Sequence, residues 1–136
     1  MYKLRRTTDE ELIRKLHTRV FPADAFYESK KNVYWLLTCN GEPAGFCQAT
    51  DWSGGILFLS RSGILPEHRG KNLQIRLIRA RVRYAKKNGF KKVITYADAY
   101  NPASANNLAR AGFLIYNPAY KFGTPNCICF LKELSK

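Results

Sequence analysis

Apolar positions change their spacing several times along the chain, and each change marks an element. Leu12, Ile13, Leu16 and Val20 recur at helical spacing. Thr8 stands before them as an N-cap, followed by Asp9, Glu10 and Glu11, acids that suit the positive end of a helix dipole. Phe21-Pro22-Ala23-Asp24 ends this helix and opens a loop or a short second helix. Residues 2–6 predict a short edge strand. Residues 33–38 and 43–51 read as two strands joined at Asn40-Gly41, a strong hairpin signal. After a turn at Ser53-Gly54-Gly55, residues 56–65 form a largely apolar run that fits a strand in mid-sheet. Pro66 stops it. Residues 70–88 predict the longest helix, closed by Gly89, a C-cap residue. Residues 93–97 follow as a buried strand, 104–111 as a short helix, and 113–116 and 127–131 as the last strands. A strand, a long helix and a strand in succession imply a parallel pair with a right-handed crossover. With hairpins ahead of that unit, the expected class is α/β (α+β mixed): a mixed, mainly antiparallel sheet with a central parallel pair and helices on both faces.

The length of 136 residues fits one domain over 1–136, and 46% hydrophobic residues, with eight Tyr, eight Phe and two Trp, can furnish a core. No apolar run approaches the ~20 residues needed to span a bilayer. The start, Met1-Tyr2-Lys3-Leu4-Arg5-Arg6, lacks the apolar stretch of a secretory signal, so no membrane partner is expected. Cys39, Cys47, Cys127 and Cys129 form no CxxC pair, which argues against a zinc site and for reduced thiols in a cytoplasmic protein. The formal net charge is +13. Such a balance favours anionic partners. It is concentrated: ten Lys or Arg and no acid lie between Arg69 and Lys92.

That basic stretch contains the strand-to-helix junction Ile64-Leu65-Pro66-Glu67-His68-Arg69-Gly70-Lys71-Asn72-Leu73-Gln74. A helix start offers unpaired N–H groups and about half a positive charge, and so binds phosphate or diphosphate. Gly70 lets a ligand reach the backbone, and Arg69 and Lys71 add charge. The segment is neither a GxxxxGK[ST] nucleotide loop nor a GxGxxG dinucleotide loop. It resembles the coenzyme A pyrophosphate loop of the GNAT N-acetyltransferase superfamily, whose pattern is Gln/Arg-x-x-Gly-x-Gly/Ala. Arg69 matches the first position, while Asn72 and Gln74 stand where the family has small residues. Leu73, Leu77, Ile78, Tyr84, Ala85, Gly89 and Phe90 keep the family's register downstream. The segment NPASANNLARAGF, residues 101–113, is similar to its second signature. The FP…GFC and RGKNLQ…NPASANN segments also look like compact acetyltransferases of phage genomes.

The resemblance implies an acyl-CoA N-acyltransferase-like fold and transfer of acetyl from acetyl-CoA to a primary amine; from the cysteine spacing, no metal is expected. By it, backbone groups near Ile64 pair with the pantetheine arm like an added strand. The amides of Gly70, Lys71, Asn72, Leu73, Gln74 and Ile75 hold the pyrophosphate. Asn101 bonds the pantetheine side, with Ser104 and Asn107 facing it. The family often places a Glu at positions that here hold Phe58 and Tyr96, and a thiol-protonating Tyr where this chain has Leu108. Substitute catalytic candidates are Tyr116 and Tyr120 as proton donors, Asp51 and Asp24 as carboxylates near the acceptor, and His17, which has an ordinary pKa near 6.5, as a base. Approximation of the reactants alone can supply several kcal/mol.

On a helical wheel, Leu73, Leu77, Ala80 and Tyr84 share one face, and Ile75, Ile78, Val82 and Ala85 widen it. Arg76, Arg79, Arg83, Lys86 and Lys87 gather opposite, a solvated face or a contact strip for an acidic partner or RNA. Arg81 breaks the rule by falling within the apolar arc. Two further readings remain open beside the enzyme: a basic nucleic-acid-binding module, and a degenerate relative that binds coenzyme A without turnover. Monomer and homodimer are both compatible with the sequence.

Overall fold

A computed structural model describes residues 1–119 and 126–134 of the chain. The strands are β1 (Tyr2–Thr7), β2 (Asn32–Cys39), β3 (Glu42–Asp51), β4 (Ile56–Ile64), β5 (Lys92–Asp98), β6 (Leu114–Ile115) and β7 (Cys127–Glu133). The helices are α1 (Glu10–Val20), α2 (Leu73–Lys87) and α3 (Pro102–Arg110), with a single 3-10 turn at Pro66–His68. The strands form one mixed sheet in the order β1-β2-β3-β4-β5-β7-β6. All neighbouring pairs are antiparallel except β4 and β5, which run parallel around the crossover helix α2. The expected α/β class is therefore observed, with the apolar run of β4 at the middle of the sheet.

The β2–β3 hairpin turns where Asn40 and Gly41 both take positive φ, 52° and 88°. That pair of angles is what the right-handed twist of the strands requires of a two-residue turn. Strand alternation then sorts the core into two layers. Trp35, Leu37, Cys47, Leu57 and Leu59 face α2 and α3 and pack with Leu73, Leu77, Ile78, Ala85 and Leu108. Tyr34 and Phe46 face the other way and pack with Ile13 and Leu16 of α1. Leu37, Leu57 and Leu77 are fully buried. Truncating any of them to Ala would cost about 2–5 kcal/mol.

Several boundaries differ from expectation, three of them with a clear local cause. The α1 cap is Asp9, whose Oδ1 accepts from Leu12 N at 3.1 Å, rather than Thr8. Helix α2 begins at Leu73 rather than at residue 70, because the 3-10 turn and a left-handed Asn72 (φ 59°) intervene. Strand β6 shrinks to Leu114–Ile115, since only those residues pair with β7.

The feature that positions the site is a split in the sheet. Strands β4 and β5 pair only through Ile56/Lys92, Leu57/Val93 and Phe58/Ile94. Beyond them Thr95 Oγ1 donates to the Leu59 carbonyl at 2.9 Å, and then the strands part. A register shift on the β3 side pairs Gln48 with Arg61 but Ala49 with Leu59, leaving Ser60 as the extra residue of a bulge. A bulge bends its strand and sharpens the local twist. Residues 60–64 of β4 thus present an edge that β5 does not cover.

Candidate active site

Two adjoining cavities fill the split. The outer one, about 480 Å³, is walled by Val20, Phe21, residues 62–64 and 68–70, Asn72, Leu73, Gln74, Ala103 and Asn107. The inner one, about 330 Å³, shares Phe21, Ser62, Gln74, Ala103 and Asn107 with it and continues along Leu59, Ser60, Arg61, Ile78, Arg81, Thr95, Tyr96, Asp98, Asn101, Ser104 and Leu108. The two form one crevice from the strand-to-helix junction to the point where β4 and β5 meet. Crevices at the carboxyl ends of parallel strands are the usual ligand sites of open α/β sheets.

At the outer end the backbone is arranged as a set of donors. Gly70 has φ +81°, and a Cβ built on it would meet nothing within 4 Å. Asn72 precedes α2 with no side-chain cap, and the first turn holds no acid. The amides of Leu73, Gln74 and Ile75 are the orphan donors of any helix start. Among the described residues nothing accepts from them, nor from the amides of Gly70, Lys71 and Asn72. Arg69 turns inward instead, its Nε donating to the Ile64 carbonyl at 2.9 Å. That bond occupies one acceptor at the exposed edge of β4.

The wall opposite comes from α3. Asn101 caps this helix, its Oδ1 accepting from Ser104 N at 3.3 Å, so its amide nitrogen is the polar atom left for a ligand. Asn107 borders both cavities, and its Oδ1 accepts from Arg110 at 3.3 Å. Across the crevice Ser62 Oγ donates to Gln74 Oε1 at 3.0 Å. The sequence-predicted set Ile64, Arg69, Gly70, Asn72, Leu73, Gln74, Asn101, Ser104 and Asn107 is therefore brought together along one crevice, whereas Lys71 and Ile75 are in neither lining.

The catalytic candidates fare differently. Asp51 pairs with Leu57 near the start of β4, about 23 Å of strand from Ile64 at ~3.3 Å per residue. Its carboxylate closes the turn by accepting from Ser53 N at 2.7 Å. It belongs to the far end of the sheet, because β3 runs antiparallel to β4. Tyr116 is also displaced: β7 inserts between β5 and β6, so Tyr116 bonds through its backbone to Cys129 and contributes to neither cavity wall. Burial raises its pKa and keeps the phenol protonated. Tyr120 lies outside the described residues. Asp24 is exposed and accepts from Arg61 Nη1 at 3.3 Å, which ties it to a residue of the inner wall. His17 is only 1% exposed, packed against Phe21, Phe26 and Phe46. Burial, and then the nearby Arg61 charge, lower its pKa. It is a core residue without a path to an acceptor.

Phe58 and Tyr96, at the positions where the family often has a Glu, stack with ring centroids 6.2 Å apart. Tyr96 is the one tyrosine in the described walls of the crevice. Sequence reasoning missed it, along with Ser60, Ser62, Thr95 and Arg81. Their contribution depends on where β4 and β5 separate, and only the misfit of Arg81 on the helical wheel gave a signal.

On the outer face of α2, Arg76, Arg79, Arg83 and Lys87 line a separate groove of about 850 Å³ with Arg6, Trp35 and Tyr84. Arg6 lies over the Tyr84 ring at 4.9 Å. The expected basic face is present.

A family model described as the acetyltransferase (GNAT) family matches residues 1–113. No curated protein sequence matches the chain. Among solved structures, the ribosomal-protein-S18-alanine N-acetyltransferase of Escherichia coli superposes with a TM-score of 0.81 at 17% identity, over 100% of this chain and 96% of its own. The IAA acetyltransferase of Bacillus cereus gives 0.79 at 14% identity, over 98% and 100%. A GNAT family acetyltransferase of Elizabethkingia anophelis with acetyl-CoA bound gives 0.76 at 15%, over 98% of each chain. These likenesses show a shared fold, and the family match, which spans most of the sequence, makes the chain a member of the GNAT acetyltransferase family.

Proposed function

We propose that this protein transfers an acyl group, acetyl in the simplest case, from coenzyme A to a primary amine. One observation carries the reading: the uncapped start of α2 opens onto the uncovered edge of β4 within a single crevice. Its residues fit the coenzyme. The amides of residues 70–75 would hold the pyrophosphate, where Gly70 leaves the space that any side chain would fill. Lys71 and Arg76 would add charge. The free edge at residues 62–64 would take the pantetheine amides as a neighbouring strand does, and Asn101, Ser104 and Asn107 would line its other side. The bound coenzyme supplies an activated thioester.

What the chain adds is chiefly placement. Holding an amine against the thioester carbonyl removes much of the entropic barrier. Asp98, in the inner wall, and Asp24, bonded to Arg61 of that wall, are the carboxylates near enough to receive the proton that the amine loses, and Tyr96, in the same wall, would donate to the departing thiol sulfur. Tyr96→Phe is expected to lower kcat more than it raises KM, and Asp24→Asn to lower kcat. Differential scanning with coenzyme A tests the binding step. At about a hundred times its Kd the ligand adds about 2.7 kcal/mol, a rise in Tm of several degrees. No rise at millimolar coenzyme A would refute the reading. Thiol release with a panel of amines then separates an enzyme from a relative that only binds.

A second reading rests on the basic groove. Five cations beside two aromatic rings, with no acid among its lining residues, suit a polyanion such as RNA. Reversing Arg79 and Arg83 to Glu would abolish salt-dependent RNA retention if the groove serves it. Unchanged retention would refute it.

A further inference from the structure

Arg81 is 3% exposed, yet it is in no ion pair among the described residues. Its Nε donates to the Leu77 carbonyl one turn back and its Nη1 to the Gln48 carbonyl of β3, both at 3.1 Å. A guanidinium has five N–H donors in a fixed fork. Two are used, and Nη2 has no acceptor among the described residues. No carboxylate forms an ion pair with Arg81 among the described residues. Burial pulls its pKa down, but an arginine stays charged inside a protein. A buried cation without an ion-pair partner is costly.

Its position suggests a use. Arg81 forms part of the inner cavity wall together with Ser60, Ser62, Gln74 and Thr95, all neutral hydrogen-bonding residues. Two other charged residues border that cavity. Arg61 is engaged by Asp24, and Asp98, exposed at the end of β5, accepts from Tyr100 N at 2.8 Å. Arg81 is therefore the buried charge of this wall, and Asp98, its exposed acid, makes no ion pair with it among the described residues. Arg81 lies eight residues beyond the start of α2, about 12 Å along the axis at ~1.5 Å per residue. A diphosphate at the outer end does not reach it.

We propose that the inner end of the crevice binds a substrate carboxylate through Arg81. The inference rests on the coenzyme-binding reading above and adds a substrate class to it. The planar fork of arginine matches a carboxylate with two parallel bonds, and a charged pair of that kind discriminates by about tenfold to a hundredfold. The carboxylate has two sources. It is the far end of a dicarboxylic acyl group such as succinyl, or it belongs to an amino-acid acceptor.

Titration calorimetry on the intact chain with coenzyme A, acetyl-CoA and succinyl-CoA reads the first source, and thiol release from acetyl-CoA with α-amino acids against their carboxamides reads the second. A preference of at least about tenfold for succinyl-CoA, or for the free amino acids, is expected in one arm. Arg81→Met should bring that ratio to about one, and Arg81→Lys, which keeps the charge without the fork, should leave it intermediate. Ratios near one in both arms with the unaltered chain would overturn the proposal while leaving coenzyme binding intact, and this comparison does not depend on whether the variants fold. A preference that survives in Arg81→Met would overturn the assignment of Arg81. Failure of all three coenzyme compounds to bind would overturn the coenzyme reading itself, and this proposal with it.

Discussion

The two long helices begin in opposite ways. Helix α1 is closed by the chain itself: Asp9 accepts from Leu12 N, Glu10 and Glu11 stand in the first turn, and Arg14 pairs back to Glu10 at 3.1 Å. Helix α2 has none of these. Its cap residue Asn72 is left-handed and makes no side-chain bond, and its first turn lacks acids. Both helices bury an apolar face against the same sheet, so packing does not explain the difference. An uncapped start gives up about 1 kcal/mol of helix stability. The α1 start spends its donors on folding, while the α2 start keeps them for something outside the chain.

The contrast can be broken most forcefully at Gly70. Gly70→Glu should weaken coenzyme A binding by more than about a hundredfold, because a carboxylate against the diphosphate replaces attraction with repulsion at close range. Its backbone control is Gly70→Ala. At φ +81° any side chain strains the loop by about 1 kcal/mol. The Ala variant should still bind within about tenfold of the unaltered chain by calorimetry. Next in size, Asn72→Asp puts an acid at the start of α2, as at the start of α1. Coenzyme affinity should fall about tenfold while the ligand-free protein gains about 0.5 kcal/mol in urea unfolding. The mirror experiment is Asp9→Ala, which should cost about 1 kcal/mol of stability and leave coenzyme affinity unchanged. Equal effects of Asp9→Ala and Asn72→Asp on coenzyme binding would dissolve the distinction between the two starts.

The smallest effect concerns pH. His17, in the last turn of α1, has its folded pKa lowered, first by burial and then by Arg61. Its unfolded value is near 6.5. The unfolded chain therefore binds the proton more readily. The stability contributed by neutral His17 is full above about pH 6.5 and declines as the pH falls from there through the folded pKa. Urea midpoints at about pH 7.5 and about pH 5 should differ, and His17→Leu should reduce that difference.

Much of this architecture was legible in the residues. The Asn40-Gly41 turn, the apolar mid-sheet run and the parallel unit around α2 follow from short-range rules that tertiary context left standing. The loop amides at 70–75 were also legible, since their availability depends on a local helix start. The helix boundaries were not. Thr8 and Asp9 are both capping types, and pattern alone does not choose between them. Two of the catalytic candidates, Asp51 and Tyr116, lie outside the crevice walls for topological reasons. Asp51 ends a strand, but antiparallel pairing carries that end to the wrong side of the sheet. Tyr116 follows β5 in sequence, yet β7 takes the place beside it. The inner wall of Ser60, Ser62, Thr95 and Tyr96 was invisible because it exists only where two strands part.

That parting has a mechanical consequence. The sheet is in effect two leaves, β1 to β4 and β5 with β7 and β6, stitched by a short seam at Ile56–Phe58 and spanned on one side by α2 and α3. A ligand lying along the gap would act as a strut between the leaves. Amide exchange in the second leaf, far from any direct contact with that ligand, should slow when the gap is filled.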